Sequence, residues 1–171
     1  MLISPRLIIF SGLPGAGKTT LAKALAKHLS AVYLRIDTIE QALKDQDIRV
    51  VAEGYYTAWR VAEDNLRLGL AVVGDSCNPL PISRQGWQAV AISSQAEYTN
   101  IEVICSDQAE HQKRVETRIA DIPGLRLPTW EQVRNRDYEP WQGDRIVLDT
   151  AGQSSEESVQ TLFERLSLSS K

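Results

Sequence analysis

The 171-residue chain is predicted to be an α/β protein, a parallel sheet of five strands covered by helices on both faces. Three observations predict this. Short apolar runs alternate along the chain with longer segments in which apolar residues recur at helical spacing. Two of the runs, Leu7-Ile8-Ile9-Phe10 and Leu70-Ala71-Val72-Val73, are continuously apolar, as strands buried on both faces must be. Gly12, Asp37, Asp75, Ser106 and Asp149 each follow a strand, at the carboxyl end where parallel sheets bind ligands.

Each element has a local signal. After the first strand, the helix Thr20 to Leu29 carries Leu21, Ala24, Leu25 and Leu29 on one stripe, with Lys23 and Lys27 off it. Val32 to Ile36 alternates as a strand, and Asp37 closes it and opens a helix from Thr38 to about Lys44. A loop around Asp45 to Arg49 leads to a longer helix, about Val51 to Leu68, stopped by Gly69. After the strand Leu70 to Val73, Gly74-Asp75-Ser76-Cys77-Asn78-Pro79 has loop composition. A helix from about Ile82 to Glu97 precedes the strand Ile101 to Cys105. Asp107 and Glu110 have the spacing of a capping box for a helix to about Ala120. Asp121-Ile122-Pro123-Gly124 breaks that helix, and Pro128-Thr129 opens a short one to about Tyr138. Ile146-Val147-Leu148 is the last strand, Ser154 with Glu157 caps the final helix, and Ser167 to Lys171 reads as a frayed tail.

One domain, residues 1–171, accounts for this length. The net charge of −3 supplies no global basic field, so nucleic acid is not expected from charge, although a local patch can hold one. Cys77 and Cys105 are too few for a disulfide framework. With no signal-peptide pattern and no apolar run of membrane length, the expectation is a cytoplasmic monomer or homodimer without a membrane partner.

Gly12-Leu13-Pro14-Gly15-Ala16-Gly17-Lys18-Thr19 matches G-x-x-x-x-G-K-[ST], the phosphate-binding P-loop, in the strand-loop-helix context that the motif requires. Glycines let successive backbone N–H groups curl around phosphate oxygens, and the following helix aims its positive end at the same anion. Lys18 supplies a point charge for the β- and γ-phosphates, the Thr19 hydroxyl can sit on Mg²⁺, and Thr20 follows at the helix start. An ordinary Gly-rich turn would leave Lys18 unexplained. Nucleotide contacts are therefore expected along Gly12, Leu13, Pro14, Gly15, Ala16, Gly17, Lys18, Thr19 and Thr20.

Phosphoryl transfer also needs an acid that accepts the acceptor's proton and cations for the moving charge. Asp37 can face the γ-phosphate as general base; with Glu40 three residues on it also fits a helix capping box, and both readings stand. Asp75 has the position of a Walker B acid for Mg²⁺, or of a solvated loop Asp. Arg114 and Arg118, four apart, either clamp phosphates and stack on a base or pair with Glu110 and Glu116 at the surface. Arg126, beyond the Pro123-Gly124 break, is placed on a lid spanning about 115–135. Asn78, Arg84 and Trp87 line the acceptor pocket or simply pack. His28 and His111 are expected on helix surfaces, and Trp59, Trp130 and Trp141 in core or lid packing.

Asp149-Thr150-Ala151-Gly152-Gln153 reproduces the DTAGQ of small GTPases, but it lies on the last strand, and the chain has no N-K-x-D guanine-reading motif. The stretch Thr150 to Gln153 is instead read as a loop whose backbone passes beside adenine, with Thr150 and Gly152 as contacts.

With these elements in hand, the chain resembles the P-loop kinases of the AAA_33 type, near gluconate kinase, chloramphenicol phosphotransferase and the polynucleotide 5′-hydroxyl kinases. The segments that carry the resemblance are GLPGAGKTTLAKALA, LRID, VVGDSCN, ICSDQAEHQKRVETR, PTWEQVRNRDYEPW and VLDTAG. It implies a three-layer P-loop NTPase fold with strand order 2-3-1-4-5, ATP:acceptor phosphotransfer, and roles for Lys18, Thr19, Asp37, Arg114 and Arg118. Gly74 departs from the apolar residue usual before the Walker B acid. The resulting expectation is an ATP- and Mg²⁺-dependent kinase acting on a small-molecule hydroxyl. A polynucleotide 5′-hydroxyl kinase, which would need a basic channel, and a non-catalytic ATP-binding sensor or partner module are the alternatives.

Overall fold

Strand β1 (Arg6–Ser11) shows why the first apolar run is unbroken. Successive side chains point to opposite faces, and both faces are core. Ile8 and Phe10 pack with Leu21, Leu25 and Leu162, whereas Leu7 and Ile9 pack with Ala58, Leu66 and Trp87. In this computed structural model, which describes residues 5–168, β1 is the centre of a five-stranded, all-parallel sheet.

The other strands are β2 (Val32–Arg35), β3 (Val72–Asp75), β4 (Glu97–Ile104) and β5 (Ile146–Asp149), and the order is β2-β3-β1-β4-β5, as the resemblance implies. Helices α1 (Lys18–Leu29) and α7 (Ser155–Arg165) cover one face. On the other face lie α3 (Glu53–Arg67) and α4 (Pro81–Ser93), with α2 (Ile36–Lys44) packed against α3. Helices α5 (Gln108–Thr117) and α6 (Trp130–Arg134) flank the irregular segment 118–129. Among the described residues no helix is long and apolar enough to cross a membrane.

Several boundaries differ from expectation, each for a local reason. Helix α2 begins at Ile36 with Arg35 as its N-cap, so Asp37 lies inside the first turn and forms no capping box with Glu40. Strand β3 extends through Gly74 to Asp75, because Asp75 pairs in register with Phe10 and Arg35. Helix α4 stops at Ser93, where Gln95 turns left-handed (φ 53°), and residues 97–100, expected to be helix or loop, open β4. Helix α5 ends at Thr117 because Arg118 is extended, and α6 ends at Arg134, short of Tyr138. Asp107 does cap α5 by accepting from the Glu110 amide, and Ser154 and Glu157 form a full capping box on α7. Ser167 and Leu168 are not frayed, since the Leu168 amide donates to Phe163 O at 2.9 Å and its side chain packs on the core. Residues 169–171 of the expected tail lie outside the described residues.

Candidate active site

Between β1 and α1 the chain must fold back tightly, and the glycines make this possible. Gly12 (φ 138°) brings its backbone so close to β4 that a Cβ would lie 2.1 Å from Val103 O. Gly17 (φ 102°) is the N-cap of α1 and directs the first helical amides into the loop. Lys18 curls back so that its Nζ donates to Leu13 O at 3.0 Å.

Three neighbouring elements brace this loop. His111 Nε2, on α5, donates to Pro14 O at 2.8 Å, and the Thr150 hydroxyl, after β5, donates to Ala16 O at 2.8 Å. Arg114 donates to both the hydroxyl (2.7 Å) and the carbonyl (2.8 Å) of Thr150, and pairs with Glu110. The Gly12 amide donates to Cys77 O at 3.1 Å, tying in the loop after β3.

At the end of β3, Asp75 is 3% exposed. Its Oδ2 accepts from the Thr19 hydroxyl at 2.8 Å and from the Tyr33 phenol at 2.6 Å, with Arg35 Nε at 4.0 Å. Burial and the Asp75 charge push the Tyr33 phenol far above its ordinary range, so it stays a donor. Thr19 and Asp75 are the residues that would hold Mg²⁺: a hard cation takes a hydroxyl and a carboxylate oxygen, and both already meet at one point.

A cavity of about 750 Å³ opens from this point. It is bounded by Lys18, Thr19 and Asp75 below, Asp37 and Glu40 from α2, and Arg114, Arg118 and Arg126 from α5 and the segment beyond. The structure therefore brings together the expected acid, metal and arginine residues in one space. Arg118 Nε is buried and, among the described residues, has no hydrogen-bond partner. Burial lowers the Arg118 pKa while the Asp37 charge opposes that shift, so the guanidinium is short of an anion. A second cavity of about 430 Å³ lies behind the loop, lined by Gly15, Gly17, Thr20, Arg114, Thr150 and Gln153. Gly152 is exposed, and its amide is taken by Glu110 Oε2 at 2.8 Å.

The residues placed provisionally in an acceptor pocket lie elsewhere. Trp87 is fully buried in the core, and Asn78 donates to Phe10 O and Ser11 Oγ. Arg84 is only 4% exposed; it donates to the carbonyls of Asn78, Pro79, Glu139 and Pro140 and stacks on Tyr138 and Trp141. Asn78 and Arg84 fix the loop after β3, and Trp87 packs in the core. His111 is likewise buried, not on a helix surface, whereas His28 packs on the Phe163 ring. Asp149 accepts from the Ser106 and Ala151 amides, and Gln153 from Ser158, so the GTPase-like stretch closes a turn.

Sequence reasoning missed Tyr33, Arg35, Lys23 and Asp121. Arg35 Nη1 reaches Asp121 at 2.8 and 2.9 Å, and Lys23 Nζ joins at 2.8 Å, tying the segment beyond α5 to β2 and α1. These hydrogen bonds hold the Asp121 carboxyl well below the usual carboxylate range. The available signal was the alternation of Tyr33 and Arg35 with apolar Val32 and Leu34, which puts both polar residues on one side of β2.

A family described as "AAA domain", AAA_33, matches residues 7–136. No curated protein matches the chain. Among solved structures, a candidate kinase from Chloroflexus aurantiacus is 24% identical with TM-score 0.74, the match covering 98% of each chain. The Mycobacterium tuberculosis APS kinase in complex with AMPPNP and APS is 16% identical with TM-score 0.66, covering 96% of this chain and 98% of that one. A gluconokinase from Sinorhizobium meliloti is 16% identical with TM-score 0.65, covering 96% and 97%. At these identities the likeness carries the fold, which is that of the kinase-like P-loop NTPases.

Proposed function

The chain belongs to the AAA_33 family, and from that premise we propose that it is a kinase transferring the γ-phosphate of ATP to a hydroxyl of a small molecule. The observation that carries this is the single cavity in which the P-loop lysine, the Thr19–Asp75 pair, three arginines and Asp37 face one another. Mere sensing of nucleotide gives no role to an acid across the cavity from the loop, and a space of about 750 Å³ leaves room for an acceptor beside the phosphates.

In this reading the loop amides and Lys18 hold the β- and γ-phosphates, and the base lies toward Thr150 and Gln153, in the smaller cavity. Mg²⁺, held by Thr19 and Asp75, supplies neutralisation of phosphate charge. Asp37 orients the acceptor hydroxyl and takes its proton as the oxygen attacks phosphorus. The bond from phosphorus to the β–γ bridging oxygen breaks, and ADP leaves with the electron pair. Arg118 and Arg126 offset the charge spread over the moving group, and closure of segment 118–129 excludes water. Gluconokinase and APS kinase, which share the fold, are named for small hydroxylated acceptors, in keeping with this assignment.

The test is ATP-dependent mass gain of one phosphate across a panel of hydroxylated metabolites. Asp37→Asn should keep ATP affinity and lose transfer by about 100-fold or more. Transfer at the wild-type rate in that variant would remove Asp37 from the mechanism.

A further inference from the structure

The proposed kinase leaves the part of the large cavity beyond Asp37 without a role. Helix α2 lines it with Asp37, Glu40 and Lys44, at the spacing that puts three side chains on one stripe. Facing them are Ser76 and Cys77 after β3, and Arg136 beyond α6.

Glu40, Ser76 and Arg136 have few partners within the protein. Glu40 has a side chain 23% exposed and, among the described residues, accepts no hydrogen bond; its nearest cation is Lys44 at 3.9 Å. Burial raises its pKa, as expected of a carboxylate short of donors. Glu40 is also seated by design, because a Cβ on Gly54 would lie 2.4 Å from its Cγ, so only glycine lets α3 pack over it. Ser76 is 4% exposed, and among the described residues its hydroxyl has only the Tyr55 phenol beside it. Arg136 is exposed; among the described residues it forms no ion pair, and its Nη1 reaches Cys77 Sγ at 3.8 Å.

Charge then narrows the acceptor. Asp37 sits in the field of Arg118, and Glu40 is offset by Lys44. Lys44 and Arg136 share the one carboxylate of Glu40, so this end of the cavity carries an excess of positive charge. A neutral acceptor would leave it so, and a cationic one would add repulsion from Lys44 and Arg136.

Resting on the kinase reading above, we propose that the acceptor is a hydroxylated organic anion. Its carboxylate or phosphate is held by Arg136, and a second hydroxyl by Glu40 and Ser76, while Asp37 faces the reacting hydroxyl. The step is the one already written, with the phosphate moving from ATP to the acceptor oxygen.

The experiment compares acceptors that differ only in the anion: D-gluconate against sorbitol, and D-glycerate and glycerol 3-phosphate against glycerol, with glucosamine as the cationic arm. Each is tested for phosphorylation by Mg·ATP and for calorimetric binding in the presence of Mg·AMPPNP. The expected result is that an anionic member is preferred to its neutral partner by about 10-fold or more. Arg136→Ala should raise its KM by a similar factor and Glu40→Gln by several-fold, with AMPPNP affinity retained. A carboxylate preference and a phosphate preference are separated by the glycerate and glycerol 3-phosphate arms. Equal use of neutral and anionic acceptors, or unchanged KM in Arg136→Ala, overturns the anion assignment and leaves the kinase standing. Anion binding that Arg136→Ala abolishes, without transfer to any acceptor, does the reverse.

Discussion

Tyr33 and Asp75 meet across the β2–β3 edge of the sheet, the phenol donating to the carboxylate at 2.6 Å through the same oxygen that accepts from Thr19. The phenol thus fixes the acid from the side opposite the P-loop. Tyr33→Phe removes one hydrogen bond to a buried charge, which should cost about 1–3 kcal/mol in urea unfolding without nucleotide. It should also weaken Mg²⁺ dependence of nucleotide binding. An unchanged urea midpoint and Mg²⁺ titration would show that Thr19 alone positions Asp75.

Lys18→Ala takes away the one cation on the P-loop itself. Calorimetry with Mg·ATP should then show binding weakened by about 100-fold or more, with the fold retained, because among the described residues Lys18 hydrogen-bonds only to the carbonyl of Leu13. Heat equal to that of the unaltered protein would place the phosphates elsewhere.

Asp121 makes stability depend on acid. Its folded pKa is lowered by Arg35 and Lys23, so its contribution is complete above the unfolded value near pH 4. That contribution is lost as pH falls through the folded value. The side chain is 48% exposed, which limits the effect to at most about 1 kcal/mol. Asp121→Asn should be less stable by up to that amount at pH 7, and the gap should close below about pH 4. A gap that persists unchanged at low pH would rule out the ion pairs as its source.

Gly74 is explained by Trp87. A Cβ at position 74 would stand 3.0 Å from the indole Cη2, so the apolar residue usual before a Walker B acid has no room. Gly74→Val should cost about 1–3 kcal/mol by thermal or urea unfolding, as overpacking does. A neutral result would mean that α4 shifts freely.

The P-loop and the capping box on α7 were legible because each is written in adjacent residues. The Asp37–Glu40 spacing left two readings open for a physical reason. An acid at the N-cap and an acid in the first turn give the same pattern, and the choice is made by where β2 stops pairing with β3, at Arg35 opposite Asp75. Residues 97–100 were hidden by their neighbours, since Ala91 and Ala96 continue a helical pattern that only the left-handed turn at Gln95 ends. Arg35 and Asp121 lie 86 positions apart, and His111 and Pro14 97, so no local spacing announces either contact. Asn78 and Arg84 were the right types for a polar pocket, but burial turned them to holding a loop, and Trp87 took the packing role.

The bond from Lys18 to Leu13 means that this ammonium is never a bare charge waiting for a ligand. Capturing a polyphosphate exchanges a neutral oxygen for an anionic one, and the gain is the difference between the two. A lone orthophosphate offers little beyond that difference, whereas a triphosphate adds contacts along the whole curl of amides. The site should therefore ignore the millimolar phosphate of ordinary solution and respond steeply to chain length.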